Sequence, residues 1–394
     1  MNKVELLAPA GDLEKLKIAL IYGADAVYIG GNRFSLRARA SNAGLDELKE
    51  AVTFAHSLNK KVYVTCNIIP HNEDLEGLKE YLIALDEIKV DAIIASSPVI
   101  INSAHKYTNL EVHLSTQMSV TNSYAMELFK KMGVKRIVLA RELSINEIKT
   151  VKEKTKMDIE VFIHGGMCAG YSGRCTLSNN MTDRDANRGG CAHSCRWNYS
   201  LYNNNHLVGD KYDFTMNSKD LCAIPYLKDL IDIGVDSLKI EGRMKSLYYI
   251  AVVVRAYRMF IDDYNNGTLK DPSFYKEEIM KAENRRTSIG FLNGDVTLNE
   301  QLYDGKNDQP SKEFVAIVKS YNKETKEAIL EQRNFFTKDD KLEVMSYDLT
   351  NKELPISEIY NKDGEVIDAA RHPLEIIKIY TDVLLKENDF IRKV

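Results

Sequence analysis

Short apolar or β-branched segments alternate with amphipathic segments of helical period over the first two thirds of the chain. Eight segments are predicted as strands: VELLAP at 4–9, DAVYIG at 25–30, KVYVTCNI at 61–68, DAIIAS at 91–96, EVHLST at 111–116, RIVLAR at 136–141, IEVFIHG at 159–165 and SLKIEGR at 237–243. Eight such β/α units favour a closed (β/α)8, TIM-like barrel over an open doubly wound sheet. The segment YDFTMNS at 212–218 also looks extended and could change the strand count by one.

The pattern changes after about residue 244. KSLYYIAVVVRAYRMFIDDYNNG reads as one long helix, and the last 83 residues carry short alternating segments with turn signals, which predicts a small C-terminal β-barrel. A chain of 394 residues exceeds one usual core. We therefore expect a catalytic barrel at 1–265, a helical connector at 266–311 and a β-barrel domain at 312–394.

Composition excludes several classes of protein. Hydrophobic residues make up 44%, charged residues 28% and the net charge is -4, which argues against bulk disorder and shows no basic excess for nucleic acid. The start, MNKVELLAPAGDLEK, lacks a signal-peptide pattern, and no apolar run reaches the length of a membrane span. We expect a cytoplasmic protein with no membrane partner, in which clustered thiols bind metal or carry redox chemistry.

Four of the six cysteines lie in one segment, residues 165–200, directly after the seventh predicted strand. Cys168, Cys175, Cys191 and Cys195 have the spacing C-x6-C-x15-C-x3-C, without the C-x2-C pairs of most structural zinc sites. Four thiolates suit zinc or an iron-sulfur cluster, so the spacing leaves both open and ranks a redox disulfide behind them. This cysteine segment replaces the helix expected there, which puts it at the rim where a barrel carries its chemistry.

Polar residues also end several predicted strands. His164 ends the seventh strand and Glu241 the eighth, and we expect them to transfer protons because imidazole and a partly buried carboxylate can be tuned towards neutral pH. Loop capping or a hydrogen bond within the barrel is the alternative role. Arg37 and Arg39, after the second strand, suit a small anionic substrate or simply order a long loop.

Arginine and aromatic residues accompany the cysteines. Tyr171, Arg188 and Trp197 are typical of an RNA-binding surface, since guanidinium groups hold phosphates and flat rings stack on unpaired bases. Salt bridges between the arginines and Asp183 or Asp185 are the alternative, and the two interpretations stay level on the residues alone.

Several long segments resemble the collagenase-like U-type peptidase family across nearly the whole chain: ELLAPAGDLEKLKIALIYGADAVYIGG, EVFIHGGMCAGYSGRCTLSN, RDANRGGC, CRWNY, NSKDL and KIEGRMKS. The resemblance implies a 4Fe–4S cluster on Cys168, Cys175, Cys191 and Cys195. RDANRGGC and the small C-terminal domain are similar to members implicated in making 5-hydroxyuridine at the wobble position of tRNA. For these members, prephenate is the suggested hydroxyl source, and relatives hydroxylate without oxygen.

Prephenate is a dicarboxylate, so Arg37, Arg39, Arg141 and Arg243 are expected anion contacts on chemical grounds. The family name raises proteolysis as a rival, but the sequence has no GxSxG elbow and no HExxH helix. A pair of Cys168 with His164 would leave the other three clustered cysteines without a role, so no full set of nucleophile, base and orienting residue emerges. A zinc-stabilised RNA-binding module is the third hypothesis. With tRNA as partner, the wobble uridine would enter the barrel mouth, and a paralogue could share the task.

Overall fold

The computed structural model describes residues 4–36, 43–282, 284–303, 307–308 and 313–394. Arg37 and Arg39 therefore lie outside the described residues. The chain divides into two compact units. The barrel unit comprises residues 1–20, 24–245 and 285–308, and the C-terminal unit comprises residues 21–23, 246–284 and 309–394.

Helices and strands alternate along most of the chain up to residue 245. They are β1 (Glu5–Ala10), α1 (Leu13–Ile21), β2 (Ala26–Gly30), α2 (Leu45–Ser57), β3 (Lys61–Cys66), α3 (Leu78–Glu87), β4 (Ala92–Ala95), α4 (Pro98–Tyr107), β5 (Glu111–Leu114), α5 (Ser123–Lys131), β6 (Arg136–Val138), α6 (Ile145–Thr155), β7 (Asp158–Gly165), α7 (Leu177–Thr182), β8 (Leu201–Asn203), β9 (His206–Val208), β10 (Asn217–Ser218), β11 (Asp220–Cys222), α8 (Leu227–Ile233) and β12 (Ser237–Ile240).

After residue 245, two helices precede a series of strands. These elements are α9 (Leu247–Asn266), α10 (Pro272–Ile279), β13 (Asn284–Arg285), β14 (Thr287–Ser288), β15 (Gln301–Leu302), β16 (Asn307–Asp308), β17 (Phe314–Asn322), β18 (Glu327–Gln332), β19 (Phe336–Thr337), β20 (Leu342–Met345), β21 (Asn351–Glu353), β22 (Ile359–Tyr360), β23 (Val366–Ile367), β24 (Ala369–Ala370), β25 (Ile376–Tyr380) and β26 (Phe390–Lys393). Within the described ranges, no helix combines the length and apolar character that crossing a membrane requires.

Eight parallel strands close into a barrel, which confirms the predicted TIM-like fold. The strand order is β12, β1, β2, β3, β4, β5, β6 and β7, and β7 pairs with β12 to complete the circle. These are the eight segments predicted from their β-branched runs, and β2, β4, β6 and β12 are buried along their whole length. Such burial on both faces is expected where helices cover a parallel sheet.

The cysteine segment leaves the barrel after β7, as expected, and the chain returns by an antiparallel strand. β11 pairs with the end of β7, with Leu221 opposite Gly165 and Cys222 opposite His164. The extended segment at 212–218 contributes β10, which pairs with β15 outside the barrel. The barrel therefore has eight strands. The segment between β7 and β11 begins and ends at adjacent points of the barrel wall.

A group of charged residues, here called the buried ionic layer, lies towards the amino ends of the strands. Arg136 Nη1 lies 2.6 Å from Glu5 Oε1 and 3.5 Å from Glu160 Oε2, and Lys239 Nζ lies 2.6 Å from Glu160 Oε1. The Tyr63 hydroxyl donates to Glu5 Oε2 over 2.7 Å. Burial alone would raise the pKa of Glu160, but Lys239 and then Arg136 outweigh it, and the pKa is lowered.

The C-terminal unit combines α9 and α10 with an antiparallel sheet ordered β21, β20, β26, β17, β18, β25, β22 and β23. A small β-barrel was expected in this part of the chain, and the strands there form an antiparallel sheet. The boundaries at 265 and 311 differ from the limits of the compact units, because α9 clusters with the sheet. Within this unit the buried Arg255 donates from Nε to the carbonyl of Ser346 over 3.0 Å, which ties the helix to the strands.

Candidate functional site

A cavity of about 170 Å³ opens at the carboxyl ends of the barrel strands. It is roughly ten times the space that one buried water needs, so a small ligand can enter. Its walls combine strand ends with the cysteine segment; the polar and aromatic lining includes Tyr28, Thr65, Asn67, Ser115, Thr116, Gln117, Arg141, Phe162, Tyr171, His193, Arg196, Lys239, Glu241 and Arg243. This is the rim at which TIM barrels carry their chemistry.

All four cysteines of the cysteine segment line this cavity. Cys168 is exposed, and Cys175, Cys191 and Cys195 are half-buried. Burial raises the pKa of the Cys195 thiol; Arg196 opposes this rise, while the other three thiols add to it. The Cys195 sulfur therefore lies within electrostatic reach of the other three.

The thiols fit a metal centre by chemistry rather than by present geometry. Within the part of the chain that the structure describes, no three His, Cys, Asp or Glu side chains form a group positioned to hold a metal ion. Four soft donors that line one cavity nevertheless suit zinc or an iron-sulfur cluster. The predicted metal ligands stay a prediction.

Arg141 lies on the cavity wall, stacked on an aromatic ring. Its guanidinium carbon lies 3.9 Å from the centroid of the Phe162 ring, and Nη1 donates to the carbonyl of Gly166. Among the described residues, no carboxylate lies within ion-pair distance of Arg141, and its buried Nε has no hydrogen-bond partner. The side chain is therefore held in place, and no carboxylate from the described ranges compensates its charge directly.

Arg243 also lines the cavity, but its guanidinium nitrogens donate hydrogen bonds to oxygen atoms of the protein. Nη1 donates to Ser35 Oγ over 3.0 Å and to Thr65 Oγ1 over 2.9 Å, and Nη2 donates to the carbonyl of Leu36. The side chain is only 4% exposed. Arg243 thus fixes the loop after β2 to the end of β3, and its charge still faces the cavity.

The two predicted proton-transfer residues differ in position. Glu241 lines the cavity and accepts a hydrogen bond of 3.0 Å from the Tyr28 hydroxyl, whose pKa is raised well above its usual value, first by burial and then by Glu241. His164 is 1% exposed and lies in the wall, paired in register with Cys222 of β11 and Ile240 of β12, outside the set of lining residues. The structure therefore brings only Glu241 into the cavity.

The three residues expected to bind RNA also separate. Tyr171 lines the mouth of the cavity and is about half exposed, whereas Trp197 is exposed outside the lining set. Arg188 Nε donates to Asp74 Oδ2 over 3.0 Å, and its Nη2 lies 2.7 Å from Glu73 Oε1. Salt bridging, the alternative role for this arginine, occurs, although with acidic residues far from the Asp183 and Asp185 that the sequence suggested.

Sequence reasoning missed Lys239, Tyr28 and Phe162. Lys239 lines the cavity, with Nζ 4.4 Å from the Tyr28 ring centroid and 5.3 Å from that of Phe162. The sequence did carry a signal for Lys239. Side chains two residues apart on a strand share a face, and Lys239 precedes the predicted site residue Glu241 by two residues. The same period relates Phe162 to Glu160 on β7.

Comparison with protein-family models gives two matches. Residues 11–301 match the model described as Peptidase family U32, and residues 310–392 match the Peptidase family U32 C-terminal domain. Together they span most of both compact units.

Three curated relatives differ in what their names say. The chain is similar to tRNA hydroxylation protein P1 of Bacillus subtilis, at 46% identity covering 100% of this chain and 95% of that protein. It is 38% identical to a 23S rRNA 5-hydroxycytidine synthase of Escherichia coli, covering 66% of this chain and 40% of that protein. A protein of Porphyromonas gingivalis named Collagenase is 32% identical, covering 75% of this chain and 73% of that protein.

Proposed function

Since the chain belongs to peptidase family U32, and relatives similar to it are named for RNA hydroxylation, we propose that it is an RNA-modifying enzyme that hydroxylates the wobble uridine of tRNA to 5-hydroxyuridine. The observation that carries the proposal is the cavity at the barrel rim, where four thiols, a carboxylate and several cationic side chains share one lining. A tRNA substrate implies a cytoplasmic protein, and a paralogue could share the task.

The substrate base would have to leave its stack to reach this cavity. Enzymes that act on a base inside a folded nucleic acid extrude it into a pocket and stack its neighbours on aromatic side chains. Tyr171, half-exposed at the cavity mouth, is positioned for such stacking. Trp197 is exposed outside the lining and suits contact with a nucleotide further along the strand.

We propose that Cys168, Cys175, Cys191 and Cys195 hold a 4Fe–4S cluster. The support is the donor set: four thiols line one cavity, and a soft ligand set of this kind suits iron-sulfur chemistry. When bound, such a cluster supplies electron transfer or an iron atom able to bind an oxygen donor. Zinc is the alternative occupant, and it would fit the non-catalytic RNA-binding hypothesis.

Hydroxylation at C5 of uridine is a two-electron oxidation: C5 loses a proton, and the donor of the hydroxyl group loses its C–O bond and takes up the two electrons. Glu241 is the carboxylate that lines the cavity, and Tyr28 orients it through a hydrogen bond of 3.0 Å. We assign Glu241 to accept that proton. His164 is buried in the wall, so any contribution it makes is to the shape of the β7 end.

The hydroxyl source is proposed to be prephenate, used without molecular oxygen. Arg141 and Arg243 line the cavity and would attract its carboxylates, with Arg141 better placed because several donors of Arg243 already bind protein oxygens. Arg37 and Arg39 lie outside the described residues and remain predicted contacts. Proteolysis is the second candidate, favoured by the relative named Collagenase and by the exposed Cys168 thiol.

Nucleoside mass spectrometry of tRNA tests the proposal. In a strain without other hydroxylation routes, deleting the gene should remove 5-hydroxyuridine and its derivatives, and the wild-type gene should restore them. Each Cys→Ala change in the cysteine segment should fail to restore them. Cys66→Ala is the matched control, because Cys66 is a buried thiol on β3 and should complement.

Unaltered nucleosides in the deletion strain would exclude tRNA hydroxylation. Anaerobic purification distinguishes an iron-sulfur cluster from zinc, since an iron-sulfur protein is coloured and a zinc protein is colourless. Release of peptides from a collagen-like substrate, abolished by Cys168→Ala, would support the peptidase instead.

A further inference from the structure

One serine fixes the turn that carries the first two clustered cysteines to the barrel. Ser172 lies between Cys168 and Cys175 in the chain and is buried. Its backbone N–H donates to Glu142 Oε1 over 2.9 Å, and its hydroxyl donates to Glu142 Oε2 over 2.8 Å. Glu142 belongs to the connection between β6 and α6. Both oxygens of one carboxylate therefore join the cysteine segment to a barrel loop.

The connection between β5 and α5 holds the same turn from another side. Ser119 donates from Oγ to the carbonyl of Ser172. The next residue, Gly173, has a φ of +72°, and a Cβ there would collide with the carbonyl of Gln117. The backbone N–H, the hydroxyl and the carbonyl of Ser172 are thus all bound by loops that follow β5 and β6.

No thiol takes part in the bonds just described. They join backbone and oxygen atoms, so they can form before the sulfur atoms of Cys168 and Cys175 bind a ligand. Fixing the backbone of a loop costs conformational entropy. A turn that is already ordered by the fold does not add this cost to metal binding, so the affinity for the metal is higher.

The chain contains a second pair of the same chemistry that serves another purpose. Glu147 Oε2 accepts hydrogen bonds from the backbone N–H of Ser144 over 2.8 Å and from its hydroxyl over 2.7 Å. This pair caps the start of α6. Glu142 bonds to the cysteine segment, whereas the serine partner of Glu147 lies in the cap of its own helix. The two glutamates therefore allow a matched comparison.

We propose that Glu142 is a positioning residue that, through Ser172, holds the turn with Cys168 and Cys175 in the conformation that binds the metal, before the metal arrives. This inference deepens the proposed function and rests on the proposed role of the four cysteines as ligands. Glu142 acts through Ser172 and is not a catalytic residue. Loss of its carboxylate should release the turn and lower the affinity for the metal.

Titration of Co²⁺ into the metal-free, full-length protein under anaerobic conditions tests the inference. Binding is followed by the absorbance of cobalt–thiolate bonds. Glu142→Gln retains one acceptor oxygen for two donors, so it should weaken Co²⁺ binding about tenfold or more, the size of effect usual for residues that orient metal ligands. Glu147→Gln is the matched control and should bind Co²⁺ as the wild type does.

Ser172→Ala tests the other side of the contact with a small change that keeps the backbone bond. It should weaken Co²⁺ binding by less than Glu142→Gln does. Because both changes remove parts of one contact, the double variant should weaken binding by less than the product of the two single factors. Unchanged Co²⁺ affinity in both single variants would overturn the proposal, and so would an equal weakening by Glu147→Gln.

Hydrogen exchange of the metal-free protein gives a readout that needs no ligand. The amide of Ser172 should exchange slowly in the wild type and in Glu147→Gln, and faster in Glu142→Gln, which lacks a carboxylate acceptor. Fast exchange in the wild type would mean that the turn is not ordered before the metal binds, which contradicts the proposal.

The same experiments distinguish this inference from the proposed function. A wild-type protein that gives no cobalt–thiolate absorbance would overturn both the metal ligands and the positioning role. If Co²⁺ binding responds to Glu142→Gln as expected but the deletion strain keeps its hydroxylated nucleosides, the positioning role stands and tRNA hydroxylation fails.

Discussion

Two regions of the barrel use similar charged residues for opposite purposes. In the buried ionic layer each carboxylate meets a cation at close range, as in the 2.6 Å contacts of Glu5 with Arg136 and Glu160 with Lys239. At the rim, Arg141 is fixed on Phe162 without a carboxylate among the described residues. Charges that satisfy one another specify the barrel interior, whereas a charge held without a partner is available to a ligand.

Solvent access explains why both arrangements persist. A fully buried charge costs several kcal/mol unless it is paired, so the buried ionic layer has to be balanced internally. The rim opens to water, which solvates an uncompensated guanidinium until a ligand replaces that water. Variants at the two ends should therefore separate stability from function.

The largest expected effect is in the buried ionic layer. Glu160→Ala leaves Lys239 without its carboxylate and takes one from Arg136, so the free energy of unfolding should fall by about 3–5 kcal/mol. Urea unfolding followed by circular dichroism measures it. Glu50→Ala, which breaks an exposed pair with Lys17, is the control and should change little. Comparable losses in the two variants would remove the distinction between buried and exposed pairs.

The same carboxylate predicts a pH dependence. The pKa of Glu160 is lowered in the folded protein, so its ionised form stabilises the fold fully above the unfolded pKa, about 4.3. That contribution is lost as the pH falls through the lower folded pKa. The stability difference between wild type and Glu160→Gln should be constant at neutral pH and shrink in acid. A difference that grows in acid would reverse the assigned shift.

At the rim, Cys168→Ala should abolish restoration of the hydroxylated nucleosides with little loss of stability. The thiol is exposed, and substitutions at such positions usually change the free energy of unfolding by about 0.5 kcal/mol or less. The free energy of unfolding of the metal-free protein and the nucleosides of the complemented strain are measured for the same variant. A large loss of stability would mean that this rim residue is structural.

The smallest effect is expected for Arg188→Gln. Its pairs with Asp74 and Glu73 are solvent-accessible, so salt should screen them and the variant should lower the thermal midpoint only slightly, and only at low salt. The hydrogen bond from Arg188 lowers the pKa of Asp74, so the difference should also disappear as the pH falls through that pKa. A persistent difference in high salt would show that Arg188 contributes by packing.

The sequence predicted features that depend on local pattern. Eight strands followed from β-branched runs, and the position of the cysteine segment followed from its place after β7. Arg188 could not be assigned, because its partner Asp74 lies 114 residues away and only the fold brings the two together. His164 was assigned to the rim because the sequence does not reveal that β11 pairs beside it.

Lys239 shows a different limit. Its period-two relation to Glu241 was visible, but a lysine in a strand usually points to solvent, and only the closed barrel turns that face inward. That no described carboxylate pairs with Arg141 likewise depends on which carboxylates the fold brings near which cations. Such balances are properties of the folded interior.

The side-by-side pairing of β7 and β11 bears on how the protein matures. Backbone hydrogen bonds between β7 and β11 hold together the two ends of the segment that carries the four thiols. Closing this loop therefore needs no metal. The polypeptide is then expected to complete its barrel before any cofactor binds. On the proposal that the four cysteines hold an iron-sulfur cluster, a cell short of iron would accumulate a folded, inactive protein that can take up its cluster later, without new synthesis.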